Sequence, residues 1–376
     1  MDIRRRSLLS ETLHGGGSSE EPINIDNYLT IEALEDGLTA SLSKNACEYC
    51  VDGDGNWKSL SADTSTESIN SGHTLSFRGN LTPTSAAGIG TFTISKKCNL
   101  KGNCMSMLFG DNAADNYSLS GKDYAFRNLF GNCNNIVNVS SNFLPATTLE
   151  NYCYKNMFNG CTNLTTAPKL PAKKLKVECY SSMFQNCTSL TTAPALPATT
   201  LAHGCYRSMF QDCTSLATAS ALLATTLSDM CYYSMFQGCT NLTTAPELPA
   251  TTLAEYCYYA MFYGCTSLTT ASALLATTLS DMCYYSMFQG CTNLTTAPEL
   301  PATTLKASCY TKMFYGCTKL NYIKMIATDI SAYNCLGSWV SNVSSTGTFV
   351  KNPAMNSLPT GTHGIPSGWT VQNATS

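Results

Sequence analysis

Two rhythms of apolar and polar positions divide the chain. Between Ile23 and Ser95, apolar and polar residues alternate in short runs: YLTIEAL, LTASLS, EYCV, NWKSL, ESIN, TLSFRG and GTFTIS, parted by Gly, Asn and Asp. A period of two marks half-buried strands, and runs this short and close predict a small antiparallel β-sandwich over residues 23–95. From Tyr124 the spacing lengthens. In LSDMCYYSMFQGC, Leu227, Cys231, Met235 and Cys239 stand four apart, which predicts one face of a short helix. Ser228 or Asp229 would cap its start. The position before the second cysteine holds Asn132, Gly160, Asn186, Asp212, Gly238, Gly264, Gly290 and Gly316. These residue types tolerate left-handed backbone, so each helix is expected to end there. LTTA then reads as a short strand, often stopped by a proline.

This second rhythm is periodic. Cysteine falls at 153, 179, 205, 231, 257, 283 and 309, always 26 residues apart, and a second column runs in step from Cys161 to Cys317. A degenerate earlier copy, YAFRNLFGNC at Tyr124–Cys133, has Ala125 in place of the first cysteine, and residues 218–253 recur without change at 270–305. A fixed period of this length signals stacked repeats with atypical ends. The expected fold is an α/β solenoid of about eight 26-residue repeats, with a short parallel sheet and short helices. The boundaries follow as 1–22, an N-terminal arm and Gly/Ser linker; 23–95, the sandwich; 96–123, an N-terminal cap; 124–322, the solenoid; and 323–376, a degenerate repeat and C-terminal cap.

AMFYGCTSLTTASALL and SMFQGCTNLTTAPELP resemble the A-F-x-G-C-x-S-L-x-x-I-x-x-P repeats of the BspA-type (Treponema-type) leucine-rich repeat family, over Tyr124 to about Thr348. The ordinary L-x-x-L-x-L pattern is not met, because Leu242-x-x-Ala245 is followed by Pro246. The likeness therefore rests on the half of the repeat that carries the cysteines. It implies a leucine-rich-repeat solenoid and a surface or adhesion protein of the kind found in gut Bacteroidetes and their phages. It implies binding and not catalysis.

Composition narrows the function. Charged residues make up 12% of the chain, the net charge is −3, and no basic block exists beyond Arg4-Arg5-Arg6. Phosphate binding needs clustered cations, so no nucleic-acid partner is expected. No apolar run reaches the ~18–20 residues that span a bilayer, so no membrane insertion is expected. MDIRRRSLLSETLHGGG breaks its apolar stretch after Leu9, which argues against a secretory signal. A phage virion is the expected location, with a bacterial cell surface as the alternative. LPATT is not followed by the hydrophobic tail of a wall-sorting tag.

The chemistry-bearing motifs have plain structural readings. Equivalent side chains in a ladder point the same way, which suits buried thiols better than disulfides. Cys47-Glu-Tyr-Cys50 lacks a second pair with zinc spacing. DGDGNW, Asp52–Trp57, has Trp where a calcium loop needs Gly, and reads instead as a hairpin turn. The four histidines are scattered and no nucleophile, base and orienting group recur together. No metal, cofactor or enzymatic activity is expected.

What varies against the fixed frame is the surface. The candidate binding residues are Tyr152, Lys155, Arg207, Tyr233, Tyr256, Tyr259 and Tyr285, which lie just before or two after the first cysteine of their copies. Exposed Tyr and Arg are typical contact residues. Thr165-Thr166, Thr243-Thr244 and their equivalents offer a rival polar face. The expected partners are a host cell-surface protein or glycan and, through the N-terminal region, other virion or surface structural proteins. Assembly as a homo-oligomer stays open, as does a purely structural role as a virion or surface-layer spacer.

Overall fold

The computed structural model describes residues 21–375, so all but the last two residues of the expected arm lie outside the described residues. The alternating runs form β1 (Leu29–Ala33), β2 (Ala40–Leu42), β3 (Cys47–Val51), β4 (Lys58–Leu60), β5 (Thr74–Arg78) and β6 (Phe92–Ile94). ESIN makes no strand; its Ile69 only bridges Leu38. The strands do not close a sandwich confined to 23–95. A six-stranded sheet of order β4-β3-β5-β1-β7-β8 runs on through β7 (Cys98–Gly102) to β8 (Ile136–Val139), while β2 and β6 pair apart. β7 and β8 are parallel, and Asn138 of β8 bridges Thr166 one repeat later. The N-terminal sheet thus hands its edge directly to the repeats.

The repeats themselves correct the sequence reading. Among the described residues the one α-helix is the four-residue α1, Ser106–Phe109, outside the repeats. Each expected helix is instead a run of tight turns. Left-handed backbone recurs every four residues: at Tyr152, Asn156 and Gly160, then Glu178, Ser182 and Asn186, and so on to Asn334, Ser338 and Asn342. An α-helix cannot contain such residues, since the left-handed conformation breaks its hydrogen-bond ladder.

The turn N–H groups divide by parity. Those of Cys153, Lys155, Met157, Asn159 and Cys161 donate three residues back, at 3.1–3.4 Å. Those of Tyr152, Tyr154, Asn156, Phe158 and Gly160 donate to carbonyls of the next repeat, 25 residues on, at 2.8–3.0 Å. Backbone donors that a helix would use internally therefore bind one rung to the next.

The expected LTTA sheet is likewise reduced. Rungs meet there through isolated parallel bridges, such as Thr192 to Thr218 and Thr244 to Thr270. Prolines at 168, 194, 246 and 298 cut the pairing short. Regular strands return only at the C-terminal end, where β9 (Tyr322–Met325), β10 (Thr348–Lys351) and β11 (Thr370–Asn373) form a parallel sheet of order β11-β10-β9. The leucine-rich-repeat solenoid of strands and helices, with its BspA-like architecture, is therefore not the fold; no continuous sheet closes it, and turn ladders replace its helices.

The core is built of columns. Each four-residue unit turns its first two side chains into the core, faces the third away from it and is left-handed on the fourth, so Cys153-Tyr154, Met157-Phe158 and Cys161 all point inward. Phe130, Phe158, Phe184, Phe210, Phe236, Phe262, Phe288 and Phe314 stack with ring centroids 5.6–5.8 Å apart. A tyrosine column from Tyr154 to Tyr310 stacks at 5.7–6.0 Å. Such pairs contribute about 0.5–1.5 kcal/mol each beyond burial. Phe92 of β6 begins the first column, stacked 5.5 Å from Phe130. Buried Trp339 ends both, 6.4 Å from Tyr310 and 6.1 Å from Phe314, its indole N–H donating to the Gly364 carbonyl.

All twenty cysteines are buried and free. In the second column each thiol from Cys161 to Cys317 donates to the carbonyl of a core phenylalanine, as Cys239 does to Phe210 at 3.1 Å. Cys98 lies beside Cys133 and Cys104 beside Cys153, so both columns begin in the N-terminal region.

Candidate binding surface

The outward position of the first turn unit carries, in successive rungs, Arg127, Lys155, Ser181, Arg207, Tyr233, Tyr259, Tyr285 and Thr311. Because turns repeat in register, these side chains stand directly above one another. Tyr233 and Tyr259 stack at 4.5 Å with ring planes 3° apart, and Tyr259 and Tyr285 at 4.8 Å and 7°. These spacings are close to the pitch of hydrogen-bonded strands, so the outer rings lie face on face. The Arg207 guanidinium caps the row, 5.0 Å from the Tyr233 ring, a cation–π contact worth about 0.5–1 kcal/mol at such a surface. Tyr256 leans in at 6.0 Å and 45° from Tyr259. Arg207 is exposed and the four tyrosines are half-buried.

The remaining two candidates form a separate cluster nearer the N-terminal sheet. Lys155 pairs with Glu178 and lies 5.5 Å over the Tyr152 ring. Tyr152 stacks on Tyr124 at 4.7 Å and 2°, and Arg127 lies 5.8 Å from the Tyr124 ring. Tyr124 and Arg127 are not among the candidates read from the sequence, whereas Glu178 lies in the variable triplet Lys176-Val177-Glu178 before Cys179. Both were findable: they occupy the columns of Tyr152 and Lys155 in the degenerate copy. Ser181 separates the two clusters.

Two of the candidates sit on strained backbone. Tyr152 and Tyr256 have φ of 58° and 53°, in a column where another rung has Gly204. That conformation costs a non-glycine residue about 1–2 kcal/mol, and the inter-rung hydrogen bonds hold it in place.

Electrostatics follow the packing. Desolvation, with the neighbouring Tyr233 and Tyr285 hydroxyls next, pushes the Tyr259 hydroxyl up to about 12. Burial also raises Tyr152, with Glu178 adding to it. These phenols stay neutral donors and acceptors near pH 7. Stacking hides the ring faces from solvent, so the column offers ring edges, a line of hydroxyls and one guanidinium. That set can make hydrogen bonds and edge contacts; it cannot stack a sugar ring between its tyrosines.

The threonine face is doubled. Thr243-Thr244, Thr269-Thr270 and Thr295-Thr296 are exposed, and so is a second series, Thr199-Thr200, Thr225-Thr226, Thr251-Thr252, Thr277-Thr278 and Thr303-Thr304. Some hydroxyls are used between rungs, Thr269 donating to the Thr243 carbonyl at 3.3 Å. DGDGNW forms the turn between antiparallel β3 and β4; Asp52 pairs with His73 at 2.6 Å, and Asp54 accepts the Asn56 N–H. Among the described residues no group of three or more His, Cys, Asp or Glu could hold a metal ion, and no helix is long and apolar enough to cross a membrane. No protein-family model and no curated protein matches the chain.

Proposed function

We propose that the protein is a non-enzymatic recognition and adhesion protein, a virion-associated phage component whose repeats contact a protein or glycan on the host surface. The observation that carries this reading is the continuous outer column Arg207–Tyr233–Tyr259–Tyr285, stacked at 4.5–5.0 Å. Core columns barely change from rung to rung, while this column changes its chemistry, and Tyr and Arg are the side chains most enriched at binding hot spots. The likeness of the cysteine half of the repeat to BspA-type surface proteins supports the same reading. In it the N-terminal region attaches the chain to other structural proteins, and a bacterial cell-surface adhesin is the alternative setting.

A spacer role is favoured by one different observation, the unchanged recurrence of residues 218–253 at 270–305, which copies scaffold and surface alike. Replacing Tyr233, Tyr259 and Tyr285 together by Ser separates the two. Fluorescently labelled protein is added to a panel of cultured bacteria that includes gut Bacteroidetes. The recognition reading expects binding to at least one strain, weakened tenfold or more by the substitutions, with the melting transition retained. Binding at parental strength, or no binding to any strain by the parent, returns the protein to the spacer reading.

A further inference from the structure

We propose that a second site, the cleft where the N-terminal sheet meets the first two rungs, binds a short neutral saccharide. The cleft holds about 470 Å³, within the 300–1,000 Å³ usual for small-molecule sites. It is built by three parts of the chain that converge only here: the segment before β1, the loop after α1, and the corners of two successive rungs.

Its apolar wall is Tyr117 with Pro145 and Pro171, the two prolines standing 26 residues apart at the same place in their rungs. The Tyr117 backbone is fixed, its carbonyl accepting from the N–H groups of Thr147 and Thr148 at 2.9 and 3.2 Å. Its side chain is not packed, and the residue stays 52% exposed. A large aromatic ring held at its base and left uncovered within a concavity is a platform for the C–H face of a sugar.

The polar groups point to the ligand class. Asp26, Asn142 and Lys169 line the cleft. Neither Asp26 nor Lys169 takes part in an ion pair among the described residues, and the Tyr117 hydroxyl has no hydrogen-bond partner there. Some backbone donors here are already used: those of Thr147 and Thr148 on Tyr117, and that of Lys169 on the Ser141 carbonyl at 3.1 Å. One carboxylate and one ammonium cancel, so neither an anion nor a cation is selected. What remains is a carboxylate, an amide, an ammonium and a phenol beside an aromatic face. Sugar hydroxyls, each both donor and acceptor, use that mixture.

The site is independent of the tyrosine column, and its test can fail separately. Saturation-transfer NMR is run on the full chain with maltose, lactose, chitobiose and mannobiose. Transfer to at least one of these is expected. It should survive in Tyr259→Ser, weaken in Tyr117→Phe, which keeps the ring and loses the hydroxyl, and in Asn142→Ala, and fall tenfold or more in apparent affinity in Tyr117→Ala. Tyr117 is exposed, so its variants are expected to melt as the parent does. Absence of transfer to all four sugars, or undiminished transfer in a folded Tyr117→Ala, overturns the proposal.

Discussion

The cysteines decide how this protein responds to pH. Cys153, Cys205, Cys213, Cys265, Cys309 and Cys317 are buried in apolar columns, and desolvation of the thiolate pushes each thiol from 9.0 up to about 12. In the unfolded chain the same thiols lose their protons near the ordinary value. Between about pH 9 and 12 the unfolded state therefore binds fewer protons than the folded state, and stability falls as pH rises. Each thiol contributes a loss of about 1.4 kcal/mol per pH unit in that window. Six acting together would exhaust the ~5–15 kcal/mol of an ordinary domain within about two pH units. Urea melts under reducing conditions should show a plateau below pH 8.5 and a steep decline from pH 9. A stability that stays level to pH 10.5 would refute the buried-thiol core. The same burial makes the columns poor nucleophiles, because the reactive thiolate is the form it disfavours.

At the scale of the element, the left-handed positions separate a turn ladder from a helix by the sign of one mutation. Lys312 is exposed, has φ of 53°, and makes no ion pair among the described residues. In a helix, Lys312→Gly would cost about 1 kcal/mol. On left-handed backbone the glycine removes a steric penalty of about 1–2 kcal/mol and restores about 0.4–1 kcal/mol of chain entropy to the unfolded state. The net expectation is stabilisation by about 0.5–1 kcal/mol in a denaturant melt, and a loss of stability would mean the turn geometry is wrong. The expected helix rests on a spacing that helix and turn ladder share. Leu227, Cys231, Met235 and Cys239 are spaced by four, and both structures put such residues on one side. A helix of 3.6 residues per turn drifts by about 40° at each step of four, whereas a four-residue turn unit does not drift at all. The strictness of the spacing carried the information. The Gly, Asn and Asp column before each second cysteine was legible as left-handed. The two other left-handed columns were not, because inter-rung hydrogen bonds impose that conformation on Tyr256, Met282 and Lys312, against local preference.

Across the whole molecule the rungs form a line in which each contacts its neighbours, and that makes a clean excision possible. Residues 218–253 and 270–305 are identical, so deleting 218–269 joins Ala217 to Thr270 in a context the chain already contains. Every interface of the shortened stack exists in the parent. The rung of Cys205 meets a copy of the sequence it already faces, and the rung of Cys283 keeps the rung of Cys309. In such an array stability is close to a sum of rung and interface contributions, so the shortened protein should fold and melt in one transition, a few degrees lower. Its surface changes more than its core. Tyr233, Tyr256 and Tyr259 leave, and Arg207 comes to cap Tyr285 alone. That column was legible in the sequence because it varied within a constant frame, whereas the saccharide cleft was not, since Asp26, Tyr117 and Pro171 meet only once the chain is folded. The deletion tests both surfaces at once. Cell binding through the tyrosine column should fall tenfold or more, while saturation transfer at the Tyr117 cleft should stay at the parental level. Loss of both with the melting transition intact would mean that the two surfaces act as one, and parental cell binding would place recognition outside the repeated rungs.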